Sequence, residues 1–492
     1  MIKKAKGDKQ FMGKGRSGRK DSKKVWKNRL AGVSAVTLLL VAALYSADRL
    51  PVRANGGRGP QAGINGVETR SDEAKGRSDE AKDGNDKEKD RKYGAKDRND
   101  KEKDREYGAK DRNDKEKDRE YGMGDRDDGG GIRIGGISSQ EEWARKQLEG
   151  MSLEEKAAQL FIITPEQLTG CGQVTQAGEV TREALRQYPV GGLIYFSNNL
   201  EDAGQLKTMT GDTQKMAMEE IGIPLFLSID EEGGDIARIG KHDGFRVAQV
   251  PSMDVIGASG DRVQAYRAGS TIGAYLHEYG LNLDFAPDAD VLTNPDNTVV
   301  KTRSFGRDPQ LVTEMSLAYL EGLWKQGVYG APKHFPGHGA TKGDSHEGFA
   351  YTDKTWEELE EAELKPFYAM VGNQVPFIMA GHISLPAITG GDLPCSLSGQ
   401  VIQGYLRDRM GYEGIIITDA LNMGAIEDHY PSGQAAVMAL QAGVDMLLMP
   451  ADFPSAYEAV VEGAGNGEIP LDRLDASVLR ILSLKAEIRK IL

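Results

Sequence analysis

Apolar positions fall into three unlike textures along the chain. Residues 30–47 read LAGVSAVTLLLVAALYSA, an unbroken uncharged run near the lower length limit of a bilayer-spanning helix. Residues 51–136 hold few apolar side chains and carry a repeat, YGAKDRNDKEKDRE, at 93–106 and again at 107–120. From residue 137 on, short apolar runs alternate with stretches whose apolar residues recur at helical spacing. Eight of these runs predict buried strands: 160–163, 190–196, 225–229, 281–286, 328–333, 377–380, 414–418 and 444–449. Most are continuously apolar, as expected when both faces of a parallel sheet are covered. Helical stretches such as 311–326 and 355–372 separate them, and Ser139 with Glu142 fits a capping box on the first helix. Eight such units predict a single (β/α)8 TIM barrel over 137–492, with a doubly wound open sheet as the competing arrangement.

Charge sharpens the division. Residues 1–29 hold twelve Lys or Arg against two acids, whereas the whole chain carries −13, so everything after Arg29 sums to −23. A uniformly basic nucleic-acid binder is thereby excluded. The positive-inside rule makes 1–29 a cytoplasmic tail and 30–47 a transmembrane signal anchor or a signal peptide, with candidate cleavage sites near Ala43 or Ala47. The folded part is then expected outside the cell, held at the membrane by a single pass or secreted. No Cys follows the apolar run, which excludes a lipoprotein anchor. Between Arg70 and Asp128, 19 basic residues face 21 acidic ones, too little apolar surface to offset the entropy of folding. The segment 51–136 therefore reads as a disordered linker with a reach of about 50 Å. The two cysteines, Cys171 and Cys395, exclude a disulfide scaffold and a CxxC motif but allow one bridge.

In a barrel, chemistry belongs just past the carboxyl ends of the strands, and the unusual polar residues fall there. Asp230, Glu231 and Glu232 follow the third strand, Asp284, Asp288 and Asp290 attend the fourth, and Lys333 and His334 end the fifth. His382 follows the sixth and Asp419 the seventh. Any one Asp could be a helix cap; the set is harder to explain that way. Three of the seven histidines, His334, His338 and His346, lie within 334–346. They could offer imidazoles to zinc, or serve proton transfer near neutral pH, with Asp344 two residues before His346 to orient it.

The segments KHFPGHGATKGDSH, DEEGG with Arg238 eight residues after Asp230, NLDFAPDADV, RSFG and ITDALNM occur in one order. Together they resemble the β-N-acetylglucosaminidase (β-N-acetylhexosaminidase) branch of glycoside hydrolase family 3, over roughly 138–492. The resemblance implies a retaining, two-step exo-hydrolase acting on terminal β-linked N-acetylhexosamine, with cell-wall fragments as the expected source. It implies Asp419 as nucleophile and His346 as acid/base partnered by Asp344. It implies Asp230, Arg238, Arg303, Lys333 and His334 as sugar-binding residues. It calls for no cofactor, no metal and a carbohydrate partner; residues 30–47 add a membrane, the charge distribution leaves out nucleic acid, and a monomer is favoured. The chain's length favours the single-domain arrangement of the family. One departure stands out: DEEGGD replaces the usual DQEGGR, so Glu231 and Asp235 are expected to add negative charge near the rim.

Two alternatives remain. A neutral histidine acid/base repels phosphate less than a carboxylate does, so a phosphorylase is compatible. A non-catalytic wall-binding barrel is the other, against which the joint presence of Asp419, Asp344 and His346 argues. A substrate-assisted hexosaminidase would need an adjacent Asp–Glu pair after the fourth strand, which DFAPDAD lacks.

Overall fold

The computed structural model describes residues 139–344, 348 and 350–491. The basic tail 1–29, the apolar run 30–47, the linker 51–136 and His346 lie outside the described residues. Among the described residues no helix is long and apolar enough to cross a membrane.

Each of the eight apolar runs forms a strand, the seventh extending two residues past its run: β1 Phe161–Ile163, β2 Gly192–Ile194, β3 Phe226–Ile229, β4 Leu283–Asp284, β5 Tyr329–Gly330, β6 Phe377–Ala380, β7 Ile415–Ala420 and β8 Met446–Leu448. All pairs are parallel, in the order β5-β4-β3-β2-β1-β8-β7-β6. The gap between β5 and β6 is spanned just beyond β5. Met379 N donates to Pro332 O (3.0 Å), Phe335 N to Met379 O (2.9 Å), and Gly381 N to Phe335 O (2.9 Å). An open doubly wound sheet would leave two free edges; this sheet is nearly closed and has the strand order of a TIM barrel.

The strands are short and buried on both faces, which is why the sequence shows continuous apolar runs rather than alternation. The long helices Arg262–Glu278 and Pro309–Lys325 pack backbone to backbone: a Cβ on Gly269 would lie 2.1 Å from Tyr319 O. This places Tyr319 so that its hydroxyl reaches the carbonyl of Glu231 (3.1 Å), next to the strand-end residues discussed below. The final helix, Leu471–Ile491, closes the amino-terminal end of the barrel. From it the fully buried Lys485 donates to Gln159 Oε1 (2.7 Å) and stands 5.2 Å from the ring centroid of Phe226.

Three local expectations need correction. Ser139 is the first residue of the helix Ser139–Gly150 rather than its cap; a reciprocal box is found one helix on, between Ser152 and Glu155. The stretch 355–372 is two helices, Trp356–Glu361 and Lys365–Gly372, because Pro366 has no N–H and its ring collides with a preceding turn. Cys171, exposed, and Cys395, buried, are free thiols, so the bridge that the sequence allowed is not formed.

Candidate active site

At the carboxyl ends of the strands lies a cavity of about 420 Å³. Asp230, Arg238, Arg303, Lys333, His334 and Asp419 all line it, although they come from four different strand ends. Asp344 is not among the lining residues. It sits beyond the stem of a hairpin in which Lys342 and Tyr351 exchange both backbone hydrogen bonds (2.9 and 3.0 Å). Thr352 N then anchors that hairpin to Ser384 O (3.1 Å). His346, two residues after Asp344, is outside the described residues.

Behind β3 the chain reverses in a tight hairpin, Glu231–Gly233 against Ile236–Ala237. Gly233 and Gly234 turn it with φ of 90° and 56°, and a Cβ on Gly234 would stand 2.4 Å from Ser252 Cα. Alternation along this hairpin sends two adjacent glutamates opposite ways. Glu231 points away from the cavity: its carboxylate accepts Ile239 N (2.8 Å), Gly240 N (2.8 Å) and Tyr275 Oη (2.8 Å). Burial raises its pKa. Glu232 points inward and accepts both Arg303 Nε (2.8 Å) and Nη2 (2.7 Å), with Lys333 Nζ 2.7 Å away. The expected extra negative charge is therefore absent from the cavity. Glu231 is consumed by backbone donors, and the exposed Asp235 pairs with Lys241 (3.2 Å) and accepts Thr302 Oγ1 (3.0 Å).

The pairing continues across the floor. Lys333 Nζ also donates to Asp230 Oδ1 (2.8 Å). His334 Nδ1 donates to Asp290 Oδ2 (2.7 Å), while its Nε2 lies 3.3 Å from Arg303 Nη2, a group that can only donate. For Glu232, burial alone would raise the carboxyl, but Arg303 and Lys333 outweigh it and hold the group well below the usual range. For Asp290, burial is likewise outweighed, by the His334 imidazole and the His338 amide. For Asp288, Arg303 at 3.6 Å is outweighed: burial, and then the charge of Asp290, push it well above the carboxylate range. His338 is pushed down to about 4, by burial first and then by His334, so it is neutral at neutral pH.

Asp419 owes its direction to a bulge. The register between β7 and β8 shifts between Ile417 and Ala420. Thr418 Oγ1 accepts Leu448 N (3.0 Å) where a ladder carbonyl would otherwise do so. Bulges of this kind re-aim a side chain, here the Asp419 carboxylate toward the cavity that it lines. One of its oxygens accepts Ala420 N (2.8 Å), and no described residue forms a salt bridge with it. Burial alone would raise this carboxyl; His334 first, then Lys333 and the Ala420 amide, pull it below the ordinary value. Arg238 is the counterpart among the cations. Its buried Nε has no hydrogen-bond partner, and its guanidinium lies 5.6 Å from the ring centroid of Phe196.

The arrangement suits a neutral, hydroxyl-rich ligand. Three carboxylates (Asp230, Glu232, Asp419) face three permanent cations (Arg238, Arg303, Lys333), so the lining is close to charge-balanced and rich in charged hydrogen-bonding groups. Asp288, Asp290 and His334 offer atoms within 4.8 Å of one another, a spacing a metal could use. The donors do not suit one: His334 Nδ1 and Asp290 Oδ2 already bond each other, and Asp288 Oδ2 faces Arg303 Nε at 3.6 Å. Of the three histidines suggested for zinc, His338 turns its Nδ1 to Thr341 Oγ1 (2.8 Å) instead. Sequence reasoning placed Glu232 and Asp290 at strand ends without a role, and gave His338 only the zinc or proton-transfer reading it shared with His334 and His346. Alternation in the hairpin was the signal available for Glu232, and the DAD triplet beside a histidine-rich segment that for Asp290.

Comparison with known proteins bears on the same region. The sequence matches the family model for the glycosyl hydrolase family 3 N terminal domain over residues 152–484. It is 32% identical over 327 residues to a protein of Pseudoalteromonas piscicida named beta-hexosaminidase A, covering 62% of this chain and 55% of that protein. It is 32% identical over 339 residues to beta-hexosaminidase LpqI of Mycobacterium tuberculosis, covering 67% of this chain and 82% of that protein. Among solved structures, a glycoside hydrolase family 3 beta-N-acetylglucosaminidase from Paenibacillus sp. str. FPU-7 superimposes with a TM-score of 0.65 at 34% identity. That match covers 69% of this chain and 63% of the other, so the chain spans little more than half of some relatives.

Proposed function

Since the chain belongs to glycosyl hydrolase family 3, we propose that it is a retaining exo-β-N-acetylhexosaminidase that removes terminal β-linked N-acetylglucosamine, with peptidoglycan fragments as its source of substrate. One observation carries this reading. Of the three carboxylates lining the cavity, Asp230 and Glu232 are tied to cations, whereas Asp419 is ionised, aimed inward by the bulge and tied to no cation. A nucleophile needs that combination of charge and an uncommitted lone pair.

In the first step an Asp419 oxygen attacks the anomeric carbon and the bond to the leaving oxygen breaks, while His346 delivers a proton to that oxygen. In the second step His346 takes a proton from water, the water oxygen bonds to the anomeric carbon, and the bond to Asp419 breaks. Asp344 holds His346 and favours its charged form. Asp230, Lys333, His334, Arg303 and Arg238 hold the sugar hydroxyls. Residues 30–47 anchor the chain with the barrel outside the cell, or release it if they are cleaved, and 51–136 serves as spacer. Phosphorolysis is the second reading, favoured by the uncommitted donors of Arg238.

The test is an assay of the full chain on a chromogenic β-N-acetylglucosaminide, with and without phosphate. Free N-acetylglucosamine in both arms supports hydrolysis. The sugar 1-phosphate as main product supports the second reading, and no turnover in either arm refutes both.

A further inference from the structure

His382 is fully buried beside the cavity, and its two ring nitrogens are committed. Nε2 lies 3.0 Å from Ala420 O, and Nδ1 lies 2.7 Å from Ser396 Oγ. A carbonyl only accepts, so Nε2 carries the proton. Burial lowers the pKa of this imidazole, so the ring is neutral and Nδ1 accepts the Ser396 hydroxyl.

The frame around His382 is stiff. Gly381 N, one residue before it, donates to Phe335 O (2.9 Å), and Ile383, one residue after it, pairs in parallel with Ala350. Ser396 is itself fully buried, in the turn Cys395–Leu397. The bond to Ala420 crosses from the end of β6 to the end of β7. Ala420 O also accepts Met423 N (3.1 Å), and Leu421 N, in the same peptide plane, donates to Leu448 O (2.8 Å). The plane following Ala420 is thus gripped at both ends. On the other side of the same residue, Ala420 N donates to Asp419 Oδ1 (2.8 Å). A bulge interrupts the ladder to β8 between Ile417 and Ala420, where pairing resumes at Leu448, and the ladder to β6 ends at Thr418–Ala380, so on the β6 side the His382 bond is what holds this corner.

We propose that His382, held in one tautomer by Ser396, is a positioning residue for the Asp419 nucleophile: it pins the Ala420 carbonyl so that the Ala420 amide fixes one carboxylate oxygen and leaves the other facing the substrate. This rests on the assignment of Asp419 made above. His382 touches neither substrate nor reacting atoms; it acts through the backbone of Ala420. Misplacing a reacting group by about 1 Å costs on the order of 100-fold in rate, so the effect belongs in the chemical step rather than in binding.

The experiment uses the full chain and an activated 5-fluoro N-acetylglucosaminyl fluoride, with covalent labelling followed by mass spectrometry. The maximal labelling rate, the inactivator's dissociation constant and the Tm are compared. His382→Phe keeps the ring but removes both bonds; its maximal labelling rate should fall about 100-fold with the dissociation constant nearly unchanged. His382→Gln, whose amide can donate to Ala420 O and accept from Ser396, should stay within about tenfold of the parent. Ser396→Ala leaves the fold least disturbed and frees the tautomer; its rate should drop by about threefold to tenfold at a near-parental Tm. A parent labelled at Asp419 together with His382→Phe and Ser396→Ala labelled at parental rate overturns this inference alone. So does a Gln variant as slow as the Phe variant at parental Tm, or a loss that appears only in the dissociation constant. A parent labelled on another carboxylate overturns the Asp419 assignment, and this inference with it.

Discussion

Replacing Glu232 by Gln removes one negative charge from the most tightly paired part of the cavity. Glu232 is 1% exposed and binds both Arg303 and Lys333 at 2.7 Å. Breaking a buried ion pair by deleting one partner usually costs about 3–5 kcal/mol, because the other charge stays buried. Here a reserve is at hand. Asp288 Oδ2 lies 3.6 Å from Arg303 Nε, and burial, Asp290 and the charge of Glu232 itself push its carboxyl well above the usual range, toward the protonated form. With Glu232 neutral, Asp288 loses one of these influences and faces a guanidinium short of a partner. It should ionise and restore the balance. The expected loss for Glu232→Gln at pH 7 is therefore only about 1–3 kcal/mol. Asp288→Asn removes no charge from the parent and should cost less than about 1 kcal/mol. The double variant has no reserve and should lose about 1–3 kcal/mol more than the two single losses together. Urea unfolding of the four proteins at pH 7 measures this cycle. Additivity within about 0.5 kcal/mol would refute the reasoning, because it would mean that Asp288 does not change its charge. The acid limb gives a second check. The Glu232 carboxyl is held below its unfolded value, so the stability it contributes is present above about pH 4.3 and is lost as pH falls further. Glu232→Gln should lack that part of the acid loss.

Asp419→Ala should reduce kcat on a β-N-acetylglucosaminide by about 10³-fold or more with the Tm within a few degrees of the parent; activity within tenfold of the parent would exclude it as nucleophile. His346→Ala should lose far more kcat/KM on a disaccharide than on a nitrophenyl glycoside, because only the poor leaving group needs a proton in the transition state; equal losses, or inactivation of the parent by a chelator, would favour a metal. Lys485 has no carboxylate in contact among the described residues, and burial holds its amine well below 10.5, so only the unfolded chain takes up a proton in the interval between its folded value and about 10.4. Stability should accordingly rise with pH in that interval, by up to about 1.4 kcal/mol per unit, and Lys485→Met should flatten the slope; an unchanged slope in urea titrations at pH 7, 8 and 9 would show that another group causes it.

The strands were legible because each is buried on both faces, and a run such as GIIIT has no other economical reading. Helix ends were less so: Pro366 was visible, yet the periodicity on either side ran straight across it. The difference between Glu231 and Glu232 was only half legible. Alternation says that they part, but which one meets the cavity depends on Tyr275, Arg303 and Lys333, which arrive from distant parts of the chain. Asp230, Lys333, His334 and Asp419 meet at one cavity from the strand ends where the sequence put them, and Arg238 and Arg303, which only the family resemblance singled out, line it as well. The bulge before Ala420 left no mark in the sequence, since it is a matter of register and not of composition.

The pattern of pairing bears on how an anion can sit in a buried cavity and still react. A contact ion pair stabilises a carboxylate but occupies the lone pairs that attack would use, and it must be broken on the way to the transition state. Asp230 and Glu232 are held in that way. Asp419 is held differently. One oxygen takes a single backbone N–H, and the remaining stabilisation comes at a distance, from His334 and Lys333. A preorganised field of that kind costs nothing to reorganise as the charge moves to the bond being formed. On the function proposed above, the same cations serve two ends: in contact they fix the floor that would hold the sugar, and at a distance they favour the ionised Asp419. Moving Lys333 into contact with Asp419 would improve the ion pair but occupy a carboxylate oxygen, so on that assignment its attachment to Asp230 and Glu232 is as much a condition of reactivity as the placement of Asp419 itself.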